Sequence, residues 1–200
     1  MLPGGNNRLH TAPVARFLGA RATIITRLKD YDDGGIALNN PTQGLRMQTW
    51  HAWLQEPYLE ASKIIFKPNY GNSFVVFEAS NLAGFSFSFD VNMQPVIAYS
   101  ILNDQCYIRF YSTVINDFDI LPIGKVITPC VALDDRRAIA SSNYLNSDVI
   151  VAYVKDNNLY CRFSRDRYSI ENFLWSGVPP LKKIGMNEKR RFQFEFEARY

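Results

Sequence analysis

Histidine is almost missing from this chain, with His10 and His51 the only two in 200 residues. A Ser–His–Asp or Cys–His centre needs an imidazole beside an activated nucleophile. His10 sits in a stretch without strand or helix pattern. His51 stands between Trp50 and Trp53 and reads as a packed or surface ring. No Gly-x-Ser-x-Gly elbow occurs. Cysteine is also scarce. Cys106, Cys130 and Cys161 fit no zinc spacing, and their odd number argues against a disulfide scaffold. Cys106 and Cys161 fall inside aromatic strand patterns and read as buried thiols. Gly4-Gly5 and Gly34-Gly35 are not followed by the Lys-Ser/Thr of a phosphate loop. Long apolar runs are missing too: none approaches the ~20 residues of a membrane-spanning helix, and Met1–Gly5 lacks the pattern of a secretion signal. A net charge of +3 builds no strong field for nucleic acid. The basic run Lys189-Arg190-Arg191 reads as a solvated strand end. No cofactor and no metal is expected.

Aromatic residues are plentiful, with 14 Phe and 11 Tyr, and they favour strands. Phe85-Ser86-Phe87-Ser88-Phe89 alternates strictly, which predicts a strand with Phe on a buried face and Ser on an open one. Phe192, Phe194 and Phe196 alternate with Gln193, Glu195 and Glu197 in the same way. Ile64–Phe66 and Phe74–Phe77 flank a Pro/Asn/Gly loop and predict a hairpin. Leu45–Leu54 reads as a strand or a helix. As a strand it places Trp50 and Trp53 on opposite faces.

One stretch occurs twice. Tyr107, Arg109, Phe110, Leu121 and Gly124 match Tyr160, Arg162, Phe163, Leu174 and Gly177, each pair 53 positions apart. Val96–Tyr99 precedes the first copy and Val149–Tyr153 the second. Lys155–Asn158 reads as a hairpin turn. A repeat of this length built of short strands predicts blade-like β units that need neighbours to bury their faces. The fold expected is all-β: β-propeller-like blades, two clear and one degenerate, or a β-sandwich. An extended arm covers residues 1–20 and a single domain residues 21–200. The units run over about 36–84, 85–129 and 130–178, with a terminal strand at 190–198 that seals a sheet edge, closes a ring or pairs with another chain.

Carboxylates could carry chemistry only as spaced ligands or as a pair held at a fixed separation. Asp30–Gly35 lacks the spaced ligands of a calcium loop. Asp134-Asp135, before Arg136-Arg137, and the pair Asp117 and Asp119 read as charged surface turns rather than the paired acids of a glycosidase. Arg109 and Arg162 recur once per unit, and a catalytic residue does not. They are expected to bond carbonyls of a neighbouring blade or to stack against Tyr.

Asp90–Tyr99 followed by Asn103–Phe110 resembles the repeats of bacterial and phage β-propellers of the sialidase-like type. Leu133–Arg137, Ser147–Tyr153, Asn158–Phe163, Arg165-Asp166-Arg167 and Gly185-Met186-Asn187 resemble virion structural proteins of tailed bacteriophages and prophages. The likeness spans about residues 85–198. It implies a tail-associated component in multiple copies, such as a nozzle, an adaptor ring or the base of a fibre. It carries over no catalytic residue, and the Ser-x-Asp-x-Gly-x-Thr-Trp boxes of true sialidases are missing.

The expectation is therefore a non-enzymatic structural subunit, made in a host cytoplasm and located in the virion tail. Its partners would be other tail or connector proteins and copies of itself, without nucleic acid or membrane insertion. Assembly contacts are expected at Arg8, Arg16 and Phe17 in the arm and at Phe192, Phe194 and Phe196 in the terminal strand. Burial of aromatic faces at ~25 cal/mol per Å² would hold the assembly. The alternative is a receptor- or glycan-binding module of a fibre or spike, with Trp50 and Trp53 as stacking platforms. A glycosidase is a weaker third.

Overall fold

Alternation and short aromatic runs become strands throughout the computed structural model, which describes residues 21–27, 47–68, 72–90, 94–134, 148–186 and 192–196. Fourteen strands follow in order: β1 (Arg21–Arg27), β2 (Met47–Gln55), β3 (Ser62–Pro68), β4 (Phe74–Ala79), β5 (Leu82–Phe89), β6 (Pro95–Ile101), β7 (Gln105–Ser112), β8 (Asp117–Lys125), β9 (Ile127–Asp134), β10 (Asp148–Lys155), β11 (Asn158–Phe163), β12 (Asn172–Ser176), β13 (Leu181–Met186) and β14 (Phe192–Phe196). They form three four-stranded antiparallel meanders, β1–β4, β5–β8 and β9–β12, and a two-stranded sheet, β13–β14. The described residues are almost all β, in antiparallel sheets that fit blades or a sandwich.

The unit boundaries expected at 85 and 130 lie close to the sheet starts at Leu82 and Ile127. In the first unit β1 pairs along its whole length with β2, Arg21 opposite Trp53 and Arg27 opposite Met47, and brings the first sheet to four strands. The stretch that read as helix or strand is β2. The terminal alternating segment does not extend the third sheet. It pairs with β13, Ile184 opposite Phe194.

Short turns fix the registers. Asp156 and Asn157, both with positive φ, make the two-residue turn between β10 and β11. Asn103 and Asp104, also with positive φ, shape the turn between β6 and β7. The repeated glycines have a matching role. Gly124 and Gly177 carry φ values of +80 and +70. The ladder shifts register in both sheets at the same repeat step, between Cys106 and Tyr107 and between Leu159 and Tyr160. The left-handed backbone there favours glycine.

The sheets pack in series with their first strands together. β5 lies against β9 and β9 against β13, while β5 also meets β1 and β2. Three apolar clusters mark the three junctions. The first joins Ala52, Leu54, Ile64 and Phe66 to Phe85, Phe87, Phe89, Ile97 and Tyr99. The second joins Val96, Ala98, Ile108 and Phe110 to Val131, Val149, Val151 and Tyr153. The third joins Ile150, Ala152, Leu159 and Cys161 to Leu181 and Ile184.

This stacking overturns one expectation. β5 has no open face, because Ser86 and Ser88 are as buried as the phenylalanines. The Phe side meets the first sheet and the Ser side meets the third, where Ser86 Oγ accepts a hydrogen bond from Val131 N at 2.9 Å. Small hydroxyls let two first strands approach closely while satisfying a buried backbone donor.

Candidate functional site

The repeated residues occupy equivalent cross-strand positions. Tyr99 faces Tyr107 and Ile97 faces Arg109 in the second sheet; Tyr153 faces Tyr160 and Val151 faces Arg162 in the third. The tyrosine pairs stack, with ring centroids 5.3 Å apart in the second sheet and 6.3 Å in the third. Burial, reinforced by neighbouring Tyr107, pushes the Tyr99 phenol up to about 12, and Arg109 partly opposes this.

The two arginines satisfy themselves differently. The Arg109 guanidinium lies 3.6 Å from the Phe118 ring centre and 5.2 Å from that of Phe77 on the first sheet. Its Nη1 is buried without a hydrogen bond among the described residues, and burial lowers its pKa. Arg162 instead donates from Nε to Tyr153 Oη at 2.7 Å and from Nη1 to the Tyr168 carbonyl at 2.7 Å. Tyr153 donates in turn to Glu171 Oε1 at 2.6 Å, and Glu171 lies 3.6 Å from Arg162 Nη2. Burial first, and then the bond to Glu171, raises the Tyr153 pKa. The carbonyls that Arg162 bonds belong to its own sheet's loop, whereas Arg109 reaches a ring of the neighbouring sheet. Both side chains brace the fold.

A second polar knot closes the base of the third sheet. Buried Asp148 accepts from Arg165 Nη1 at 2.6 Å and from Arg165 N at 3.2 Å, and the guanidinium lies 4.0 Å from the Phe163 ring centre. Between the second and third sheets a cavity of about 190 Å³ is lined by Asp90, Ser112, Ser164, Arg167 and Tyr168. Asp90 Oδ1 there accepts from Gln94 N at 2.8 Å. Burial, followed by the nearby Asp90 charge, raises the Tyr168 pKa well above the usual phenol range.

An open concavity on the third sheet is apolar. A groove of about 610 Å³ runs between the outer strands of the third sheet and β14, lined by Leu159, Phe163, Leu174, Trp175, Val178 and Phe196 among others. Trp175 is 68% exposed and Leu174 40% exposed. Trp175 was not among the residues singled out from the sequence. A tryptophan where the second unit has Pro122, one repeat earlier, was the available signal.

Of the residues singled out from sequence, Phe194 and Phe196 line this groove. Phe192 is placed on β14 through its backbone. Arg8, Arg16 and Phe17 lie outside the described residues, as do Asp135, Arg136 and Arg137, the Asp30–Gly35 turn and Lys189-Arg190-Arg191. Trp50 and Trp53 both stand on β2, three positions apart. Cys106, Cys130 and Cys161 are all buried and form no disulfide. Among the described residues no cluster of three or more His, Cys, Asp or Glu side chains is placed to hold a metal ion. No described helix is long and apolar enough to cross a membrane.

Comparison with family models, with curated proteins and with solved structures finds no match for this chain.

Proposed function

We propose that this protein is a non-enzymatic structural subunit that assembles in multiple copies, and that its place is the tail of a bacteriophage, as a nozzle, adaptor or fibre-base component. The observation that carries the structural half of this reading is the wide apolar groove, with Leu174 and Trp175 turned outward beside a two-stranded sheet. Exposed apolar patches of this kind mark interaction surfaces. The polar clusters favour the same reading. Arg162, Tyr153 and Glu171 are engaged with one another, as are Asp148 and Arg165, which suits bracing rather than turnover. The tail assignment rests on the resemblance of residues 85–198 to virion structural proteins. The subunit would be made in the host cytoplasm and become part of the virion.

The test is quantitative mass spectrometry of purified particles produced by the phage or prophage that encodes the chain, with light scattering of the recombinant protein. The expected result is a fixed stoichiometry of several copies per particle and a concentration-dependent oligomer in solution. A chain missing from particles and monomeric at every concentration would overturn the proposal.

A further inference from the structure

We propose that the groove on the outer half of the third sheet is a docking site for an extended segment of another polypeptide, one that presents a tyrosine and an arginine two residues apart on the same side. This goes beyond the subunit reading, because it names a surface and the chemistry of what lies on it.

The argument comes from the two complete junctions. In the first, the covering sheet contributes side chains from three strands. β5 and β6 supply Phe85, Phe87, Phe89, Ile97 and Tyr99, and β7 adds Tyr107. The same β7 sends Arg109 over Phe77, on the outer strand of the sheet being covered. In the second, β9 and β10 supply Val131, Val149, Val151 and Tyr153, and β11 adds Tyr160. Tyr168, from the loop after β11, sets its ring 4.9 Å from that of Phe110. Each covering third strand reads Tyr-x-Arg, Tyr107-x-Arg109 and Tyr160-x-Arg162; Arg109 crosses its junction, whereas Arg162 turns back onto Tyr153 and the Tyr168 carbonyl of its own sheet. In the third junction the covering sheet is β13–β14, of two strands among the described residues.

Burial registers the difference at repeat-equivalent positions. Phe110 is 7% exposed, whereas its equivalent Phe163 is half-buried. Leu121 is half-buried, whereas its equivalent Leu174 is exposed. The groove is continuous with the third junction, since Leu159, Cys161, Phe163, Phe194 and Phe196 belong to both. An occupant that prolongs this layer lies across β11 and β12 beside β14. Its aromatic ring covers Phe163 and Leu174. Its guanidinium lies over Trp175, as that of Arg109 lies over Phe77, and tryptophan is the strongest aromatic partner for a cation.

The probe is a synthetic peptide copying residues 105–112, with Cys106→Ser to prevent oxidation. The control peptide carries Tyr107→Ser and Arg109→Glu. Binding to the full chain is read by calorimetry and by the indole N–H signals of the three tryptophans. Saturable binding that shifts the Trp175 signal is expected. Weakening of roughly tenfold is expected with the control peptide and with Trp175→Ala, or with Trp175→Arg should the alanine variant misfold. Three outcomes would overturn the proposal. One is no saturable response up to about 1 mM peptide. Another is equal affinity for the control peptide, which would make the groove a plain apolar pocket. The third is a peptide-independent dimer that Trp175→Ala dissolves, which would give the groove to a second copy.

Discussion

Phe118 and Glu171 stand 53 positions apart, at the same step of the repeat as Arg109 and Arg162. That one exchange accounts for how each arginine is satisfied. With a ring at the position the guanidinium stacks; with a carboxylate it enters a bonded chain with Tyr153. The repeat made the paired arginines legible in the sequence and pointed to a structural role for both. It did not show that their partners differ, because the deciding residue lies outside the matched motif and reaches them only when the β7–β8 and β11–β12 connections fold back. The equivalence is testable. Glu171→Ala removes the acceptor of the Tyr153 hydroxyl and should lower stability by roughly 1–3 kcal/mol in urea unfolding. Glu171→Phe recreates the environment of Arg109 and should lose less than half as much, since the guanidinium gains a ring. Equal losses in the two variants would show that the positions are not interchangeable.

Strand identity was largely readable, and burial was less so. Alternation along β5 located the strand, but the inference that serine faces outward failed because a sheet sandwiched between two others has no outward face. Period-two patterning reports a difference in side-chain size and polarity, and a tight junction can require small polar residues as readily as solvent can. β10 shows the opposite signature, a continuous run of Val149, Ile150 and Val151 buried on both sides. β13 was harder to place, because it begins directly after Pro179-Pro180. Ser86 offers the check at this scale. Ser86→Ala leaves the Val131 N–H buried without its acceptor and should destabilise the protein by roughly 1–3 kcal/mol. Hydrogen exchange at Val131 should accelerate accordingly. Unchanged exchange with unchanged stability would mean the bond contributes nothing to the junction.

Across the whole molecule the buried phenols set an alkaline limit. Tyr99, Tyr153 and Tyr168 are nearly fully buried, and all three have raised pKa values. A phenol whose pKa is higher in the folded state stabilises the fold fully below its unfolded value of about 10. That stability is lost as pH rises through the folded value, which is about 12 for Tyr99. For Tyr99 the difference is worth on the order of 3 kcal/mol. The protein is therefore expected to hold its structure to about pH 10 and to unfold cooperatively above it. Tyrosinate absorbance from these residues should appear together with the loss of strand circular dichroism. Full phenol ionisation with intact strand signal would contradict the burial of these rings.

The serial order of the junctions has a consequence for biosynthesis. Each meander hides its second apolar side only when the next one has been made, so a chain emerging from the ribosome always carries one greasy surface waiting for residues not yet translated. The exposed surface moves along with elongation, from β2 and β3 to β7 and then to β11. At the last of these stations β13 and β14 cover only the inner half. What is a passing hazard for the earlier meanders thus persists at Trp175, which stays 68% exposed among the described residues.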